Sequence, residues 1–387
     1  MPTGHLAPST AFLRRLVLAL VLALGCGPTG DRGNRTDAVV ARWHGVVDLA
    51  IGSLEGSHDQ FGEPSGAAVG RDGRIYLADL QYNSIRVFDP TGHYVFSVGR
   101  PGSGPGELSG SCCLAFDTAG DLWVRDARNG RYNRYRIQDT TARFMEQRLM
   151  SNAARGYVVP ITFDRDGRLV DVGLGESATG VTTVLRVHRD STGRVVSVDS
   201  IVGPPLDSLG QHLIPSGPGM IVFLQQPYGP RHLVGHAPGG GWASAVSSRY
   251  LVHWVVDGDT AGTRTVRRDL IGPALSARER AVAESTLTAN ASGIGLTGAA
   301  VPFGVPGAKP LLAALMFDVA GHLWVQMSVA DGELNRADVY DTSGHRIAMA
   351  EWPTDVDLRD GLLLDHVAFG VREDSAGVSQ VVRVRFR

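Results

Sequence analysis

Lysine is almost missing from this chain: Lys309 is the only one among 37 basic residues. The formal charge is −2, and loss of Arg14 and Arg15 with residues 1–25 takes it to −4. No basic stripe with interleaved aromatics runs through the sequence, which excludes a nucleic-acid-binding surface. Cysteine is scarce too. Three residues, Cys26, Cys112 and Cys113, are too few for a disulfide-built scaffold. The longest apolar run, residues 16–24, falls short of the roughly 20 residues needed to span a bilayer. No Gly-x-Ser-x-Gly, His-Glu-x-x-His or P-loop pattern occurs, and the twelve histidines read as scattered. The sequence therefore offers no catalytic residue, no metal ligand set and no cofactor site.

Glycine is what the chain has in abundance: 49 residues, with 20 prolines spread along the length. A hydrophobic content of 43% is enough to bury a core, so these breakers mark turns between short strands and not disorder.

The N-terminus reads as an address. Arg14 and Arg15 precede the apolar run, which ends at Gly25-Cys26, the layout of a secretory signal. The stretch Leu22-Ala23-Leu24-Gly25-Cys26 resembles a bacterial lipobox, which implies acylation of Cys26 as the new N-terminus. Expected boundaries are a signal segment at 1–25, a Gly- and Pro-containing tether at 26–42 and a folded part at 43–387. The expected location is the cell envelope, held to the membrane through the lipid alone.

A repeat organises the rest. Ala68-Val69-Gly70-Arg71-Asp72-Gly73-Arg74-Ile75-Tyr76 reappears 47 residues later as Ala115-Phe116-Asp117-Thr118-Ala119-Gly120-Asp121-Leu122-Trp123, and again from Thr162. A near-identical copy starts at Phe317. Each copy is a strand, a tight turn ending in Gly, and a second strand. Third and fourth strands follow at residues 85–88 and 93–98. Four antiparallel strands per unit of this length is a propeller blade. Six are expected, at about 57–100, 101–150, 151–203, a fourth containing 238–242 and 251–256, 309–352, and 357–387. The last has three convincing strands, and an orphan strand at 45–51 supplies its fourth. Ser276-Ala277-Arg278-Glu279 is a capping box, predicting one short helix to about Leu287.

The motif resembles that of NHL-repeat propellers, and the chain is similar to uncharacterised six-bladed propeller lipoproteins of bacteria over residues 43–387. The resemblance implies an all-β fold and leaves function open, since propellers host unrelated activities.

The longer connections between strands lie on one rim, where side chains have reach. Tyr82, Arg125, Arg128, Tyr228 and Arg231 are the candidate face there, for a protein, peptide or glycan. Asp79 and Asp126 recur at the repeat period and read as turn-fixing residues. The expected function is a binding or scaffolding module of the envelope. The alternative is a propeller enzyme of lyase or lactonase type with a channel metal. The innermost segments 66–69, 113–116, 159–162 and 312–316 are small and apolar, which favours binding. Cys112 and Cys113, adjacent at the entry to an innermost strand, are expected to form a vicinal disulfide in an oxidising compartment. Consecutive Cα atoms lie about 3.8 Å apart, below the usual disulfide range from about 4.4 Å, so such a bridge is easily reduced.

Overall fold

The computed structural model describes residues 40–56, 58–154, 159–175, 181–215, 221–256, 262–296 and 301–387. The expected signal segment, Cys26 and most of the expected tether lie outside them. The described residues form largely antiparallel sheets and one α-helix, in a propeller-like arrangement built mainly of four-stranded sheets.

Strand β1 (Ala41–Ile51) precedes the repeats. The first sheet contains β2 (Pro64–Val69), β3 (Ile75–Asp79), β4 (Ser84–Phe88) and β5 (Tyr94–Val98). The second contains β6 (Ser111–Phe116), β7 (Leu122–Asp126), β8 (Arg131–Gln138) and β9 (Thr141–Leu149). A third holds β10 (Thr162–Phe163), β11 (Leu169–Gly175), β12 (Val181–Arg189) and β13 (Val195–Pro205). After a hairpin of β14 (Gln211–Pro215) and β15 (Ile221–Gln225), the fourth sheet runs through β16 (His232–His236), β17 (Trp242–Val246), β18 (Leu251–Val255) and β19 (Arg264–Arg267). The remaining strands are β20 (Leu312–Phe317), β21 (Leu323–Met327), β22 (Asn335–Tyr340), β23 (Arg346–Trp352), β24 (Asp357–Leu364), β25 (Val367–Glu373) and β26 (Ser379–Phe386).

Six separate blades were expected, and four separate four-stranded sheets are found among the described residues. The other two units are fused into one eight-stranded sheet ordered β20-β21-β22-β23-β1-β26-β25-β24. The cause is β1. Ala41–His44 pairs in parallel with β23, and Gly45–Ile51 pairs antiparallel with β26. Strand β1 is thus the expected fourth partner of β26, but it starts four residues early and also takes up the edge of β23. Trp43 and Val47 pack against a core of Trp324, Trp352, Val382, Val384 and Phe386. Asp48, at the bulge, accepts from Arg383 at 2.7 Å and also from Arg385.

Local chemistry accounts for the repeated hairpins. Gly73, Gly120, Gly167 and Gly321 close the first turns at positive φ. In three of them the aspartate that opens the turn bonds across it, Asp72 doing so from within the turn in the first, and Asp117 and Asp318 also accept from the indole N–H of Trp123 and Trp324. Asp79 accepts backbone N–H groups of Gly62, Glu63, Gln81 and Tyr82 and the guanidinium of Arg86. Asp126 takes Ser109 N–H, Asn129 and Arg131 in the same way. Both are structural anchors of the connection after their strands.

The helix, α1 (Ala277–Gly293), has the expected capping box at Ser276 and Glu279. It is longer than expected because Thr-Ala-Asn-Ala-Ser after Leu287 contains no breaker. Ala283, Leu287 and Ala291 are its buried side. No helix among the described residues is long and apolar enough to cross a membrane.

Deleting β1 should bare the edges of β23 and β26 together. The expected outcome is a drop in Tm of about 10 °C or more, with association through the freed edges. Scanning calorimetry and light scattering check it, and an unchanged Tm in a monomeric variant contradicts it.

Candidate functional site

Inner strands that approach one another must be small where they meet. A Cβ on Gly66 would lie 2.8 Å from the backbone nitrogen of Cys113, and one on Gly235 would lie 2.8 Å from the carbonyl of Leu315. These glycines let β2 close on β6 and β16 on β20. Around them opens a cavity of about 850 Å³, bounded by β2, β6, residues 159–163, β16, β20 and β24. That size falls in the range of small-molecule sites, roughly 300–1,000 Å³.

Most of the wall is apolar: Ala67, Ala115, Ile161, Val234, Leu315 and Leu363 are representative. Polar groups are few and sit at its two ends. Where the inner strands begin, Glu63, Arg359 and Asp360 are exposed, and Cys112 and Cys113 form part of the wall. Arg359 is paired with Asp357.

The other end is set by the tight turns. Gly70, Asp117, Asp164, Ala237 and Asp318 each donate the N–H that closes the equivalent turn. The residues just before them are Val69, Phe116, Phe163, His236 and Phe317, all on the cavity wall. Four of these are apolar, and His236 is the polar one. Neither of its ring nitrogens touches solvent or has a hydrogen-bond partner. Burial pushes its pKa down to about 4, helped by the Arg186 guanidinium, so the imidazole is neutral. Behind it lies a polar network. Arg186 donates to Asp199 and to the carbonyl of Gly240, and His188 bridges Asp164 at 3.1 Å and Asp199 at 3.4 Å. These bonds to Asp199 and Asp164 raise the pKa of His188.

His236 was not singled out by the sequence reading, although His232 and His236 have His-x-x-x-His spacing. On a helix that spacing brings two rings together. On a strand it separates them by roughly 13 Å. His232 bonds Ser244 Oγ instead, at 2.8 Å. Among the described residues no group of three His, Cys, Asp or Glu side chains could hold a metal.

The rim residues fare unevenly. Tyr82, Arg128 and Arg231 are exposed, and Tyr228 is half-buried with φ +56°. Arg125 is 1% exposed and does not belong on a binding face. It lies within the sheet stack, donating to the carbonyl of Ala154, because its strand pairs it with Cys112 and Tyr132 on either side. None of the five lines the cavity. Tyr82 instead borders a separate cavity of about 200 Å³ with His58 and Arg86.

No protein-family model matches the chain, and no curated protein does. Solved structures resemble it at low identity. An exported-protein candidate from Bacteroides fragilis has 12% identity and a TM-score of 0.48, over 89% of this chain and 95% of that one. Virginiamycin B lyase from Staphylococcus aureus has 11% identity and a TM-score of 0.43, over 88% and 99%. The PQQ-bound aldose sugar dehydrogenase of Streptomyces coelicolor has 11% identity and a TM-score of 0.43, over 90% and 99%. At these values they lend no activity to this chain. What the strands define is an all-β, propeller-like protein with a channel cavity.

The buried neutral state of His236 makes a pH prediction. Its folded pKa lies below the ordinary 6.5, so the unfolded chain binds the extra proton and stability is lost as pH falls from about 6.5 toward about 4. His188 works oppositely, its contribution present at low pH and lost as pH rises through its raised pKa. A His236→Gln variant keeps His188, so the difference from the parent isolates His236. The parent should lose several degrees more in Tm than the variant over that window, up to about 3 kcal/mol of differential stability. Equal losses contradict the assignment.

Proposed function

We propose that the chain is an exported, lipid-anchored, six-bladed β-propeller that serves as a binding or scaffolding module of the cell envelope. In this reading β1 divides the eight-stranded sheet into a fifth blade, β20–β23, and a sixth, β24–β26 with β1. The ring is thereby closed between chain ends. Anchoring rests on the Gly25-Cys26 junction.

One observation carries the binding role: an apolar cavity whose wall presents His236 with both nitrogens unpartnered. Buried polar groups are normally hydrogen-bonded, and one left open on a cavity wall suits a ligand that completes it. A neutral imidazole donates through one nitrogen and accepts through the other. The ligand is thus a largely apolar group with a hydroxyl, amide or similar function. It enters past the longer connections, where a peptide, glycan or protein partner would meet Tyr82, Arg128 and Arg231. A propeller enzyme with a channel metal is the second reading. The cavity wall does carry His236 and Asp360, but they sit at its opposite ends, and the described side chains do not fit the metal.

Native mass spectrometry of protein released from membranes in mild detergent tests the binding role. A bound species of small-molecule mass is expected, at least tenfold depleted in Ala115→Phe, which projects a ring into the cavity, while Tm is kept. Absence of a bound species from the parent, or equal occupancy in both, overturns it. For the anchor, Cys26→Ser should abolish labelling by a radioactive fatty acid and release the protein in soluble form. Retained labelling and membrane partition contradict it.

A further inference from the structure

Cys112 and Cys113 are buried, 4% and 8% exposed, and both face the cavity. Their sulfurs are 2.7 Å apart. Three features hold them there. The pairing of β6 with β7 skips Cys113, so it is a bulge residue, and its φ of +56° is a conformation that non-glycine residues rarely adopt. Gly66 packs directly on the Cys113 backbone and leaves no room for it to withdraw. Ser65 Oγ donates to the carbonyl of Ser111 at 2.9 Å, tying the same bulge to the first sheet. The bulge points two neighbouring thiols at each other and at the channel.

Arg125 adds a second, independent observation. It is paired across the ladder with Cys112, is almost wholly buried, and has Nε and Nη1 without hydrogen-bond partners. A buried guanidinium with open donors is placed to favour negative charge nearby. The Asp360 carboxylate, also on the cavity wall, acts in the opposite sense on Cys112.

We propose that Cys112 and Cys113 are a redox-convertible pair on the channel wall, interchanging between dithiol and vicinal disulfide by reaction with disulfides. This stands apart from the binding role proposed above. Cys112 is the attacking thiolate, because the Cys113 S–H donates to it and Arg125 favours its charge, both of which lower its pKa. Cys113 is raised, by that same contact and by burial, and stays protonated. The Cys112 thiolate attacks a disulfide R–S–S–R, giving a mixed disulfide and one thiolate RS⁻. That thiolate takes the Cys113 proton and leaves as RSH. The Cys113 sulfur then displaces the second RS⁻ from Cys112 Sγ, and solvent protonates it. Two thiols are oxidised and one donor disulfide is reduced, with no other co-reactant. The reverse sequence, with two RSH, restores the dithiol.

Full-length protein carrying Cys26→Ser, so that the pair holds the only thiols, tests this. It is equilibrated in glutathione buffers of graded reduced-to-oxidised ratio, quenched in acid, denatured and alkylated, and its intact mass is read. At the reducing end two alkyl groups are expected. At the oxidising end none is expected, with a mass lower by two hydrogens and a monomer on a non-reducing gel. Two alkyl groups at every ratio would overturn the proposal, as would a disulfide-linked dimer or stable glutathione adducts at the oxidising end.

Discussion

Strand β1 is hydrogen-bonded to β23 and to β26, and the sheet formed by the last seven strands depends on that. Its first residues run parallel to β23 and the rest run antiparallel to β26. A four-stranded group, β20–β23, and a three-stranded one, β24–β26, both far from β1 in sequence, are thereby made one sheet. His44 and Arg387 exchange backbone bonds in both directions, at 2.9 and 3.1 Å, so the strand also fixes the C-terminal residue. A strand bonded on one edge only would leave either β23 or β26 as an open template for another chain. In the proposed six-bladed ring this same strand is what joins beginning to end.

The channel follows from a second constraint, the closeness of the inner strands. Gly66 and Gly235 permit contacts that any side chain would block, and small or aliphatic residues line what space remains. Against that background, polar groups on the wall are costly unless they are used. His236 occupies a position held by Val69, Phe116, Phe163 and Phe317 in the equivalent strands, and it gains no partner there. The Arg186–Asp199–His188–Asp164 network supports the third and fourth sheets behind it without satisfying it. At the opposite end, the Cys112–Cys113 bulge and Arg125 form a separate chemical feature.

Much of the fold was legible because the turns carry their own signals. Asp117 and Asp318 before a Gly turn, with a Trp that returns its N–H to the same aspartate, mark the hairpin from sequence alone. The capping box at Ser276 marked the helix start for the same reason. The inner strands of the fourth and last groups were not legible. Long insertions break the 47-residue spacing before β16, and Ala237 stands where the aspartate would be. In β24, Arg359-Asp360-Gly361 interrupts the pairing between Asp357 and Leu362, so the segment does not read as a small, apolar inner strand. His236 and Asp360 were missed with them. The signal that could have found His236 is the Val-Gly-His-Ala-Pro-Gly-Gly run, a strand end followed by a turn. Arg125 was misplaced because one residue of register separates the exposed connection from the buried strand, where Cys112 is its partner.

Hydrogen–deuterium exchange resolved by peptide tests the role of β1 most directly. If β1 joins β23 and β26 into one sheet, amides of Ala41–Ile51 should exchange as slowly as those of Ser379–Phe386, and the two should lose protection together on mild destabilisation. Rapid exchange across Ala41–Ile51 while Ser379–Phe386 stays protected would contradict the account.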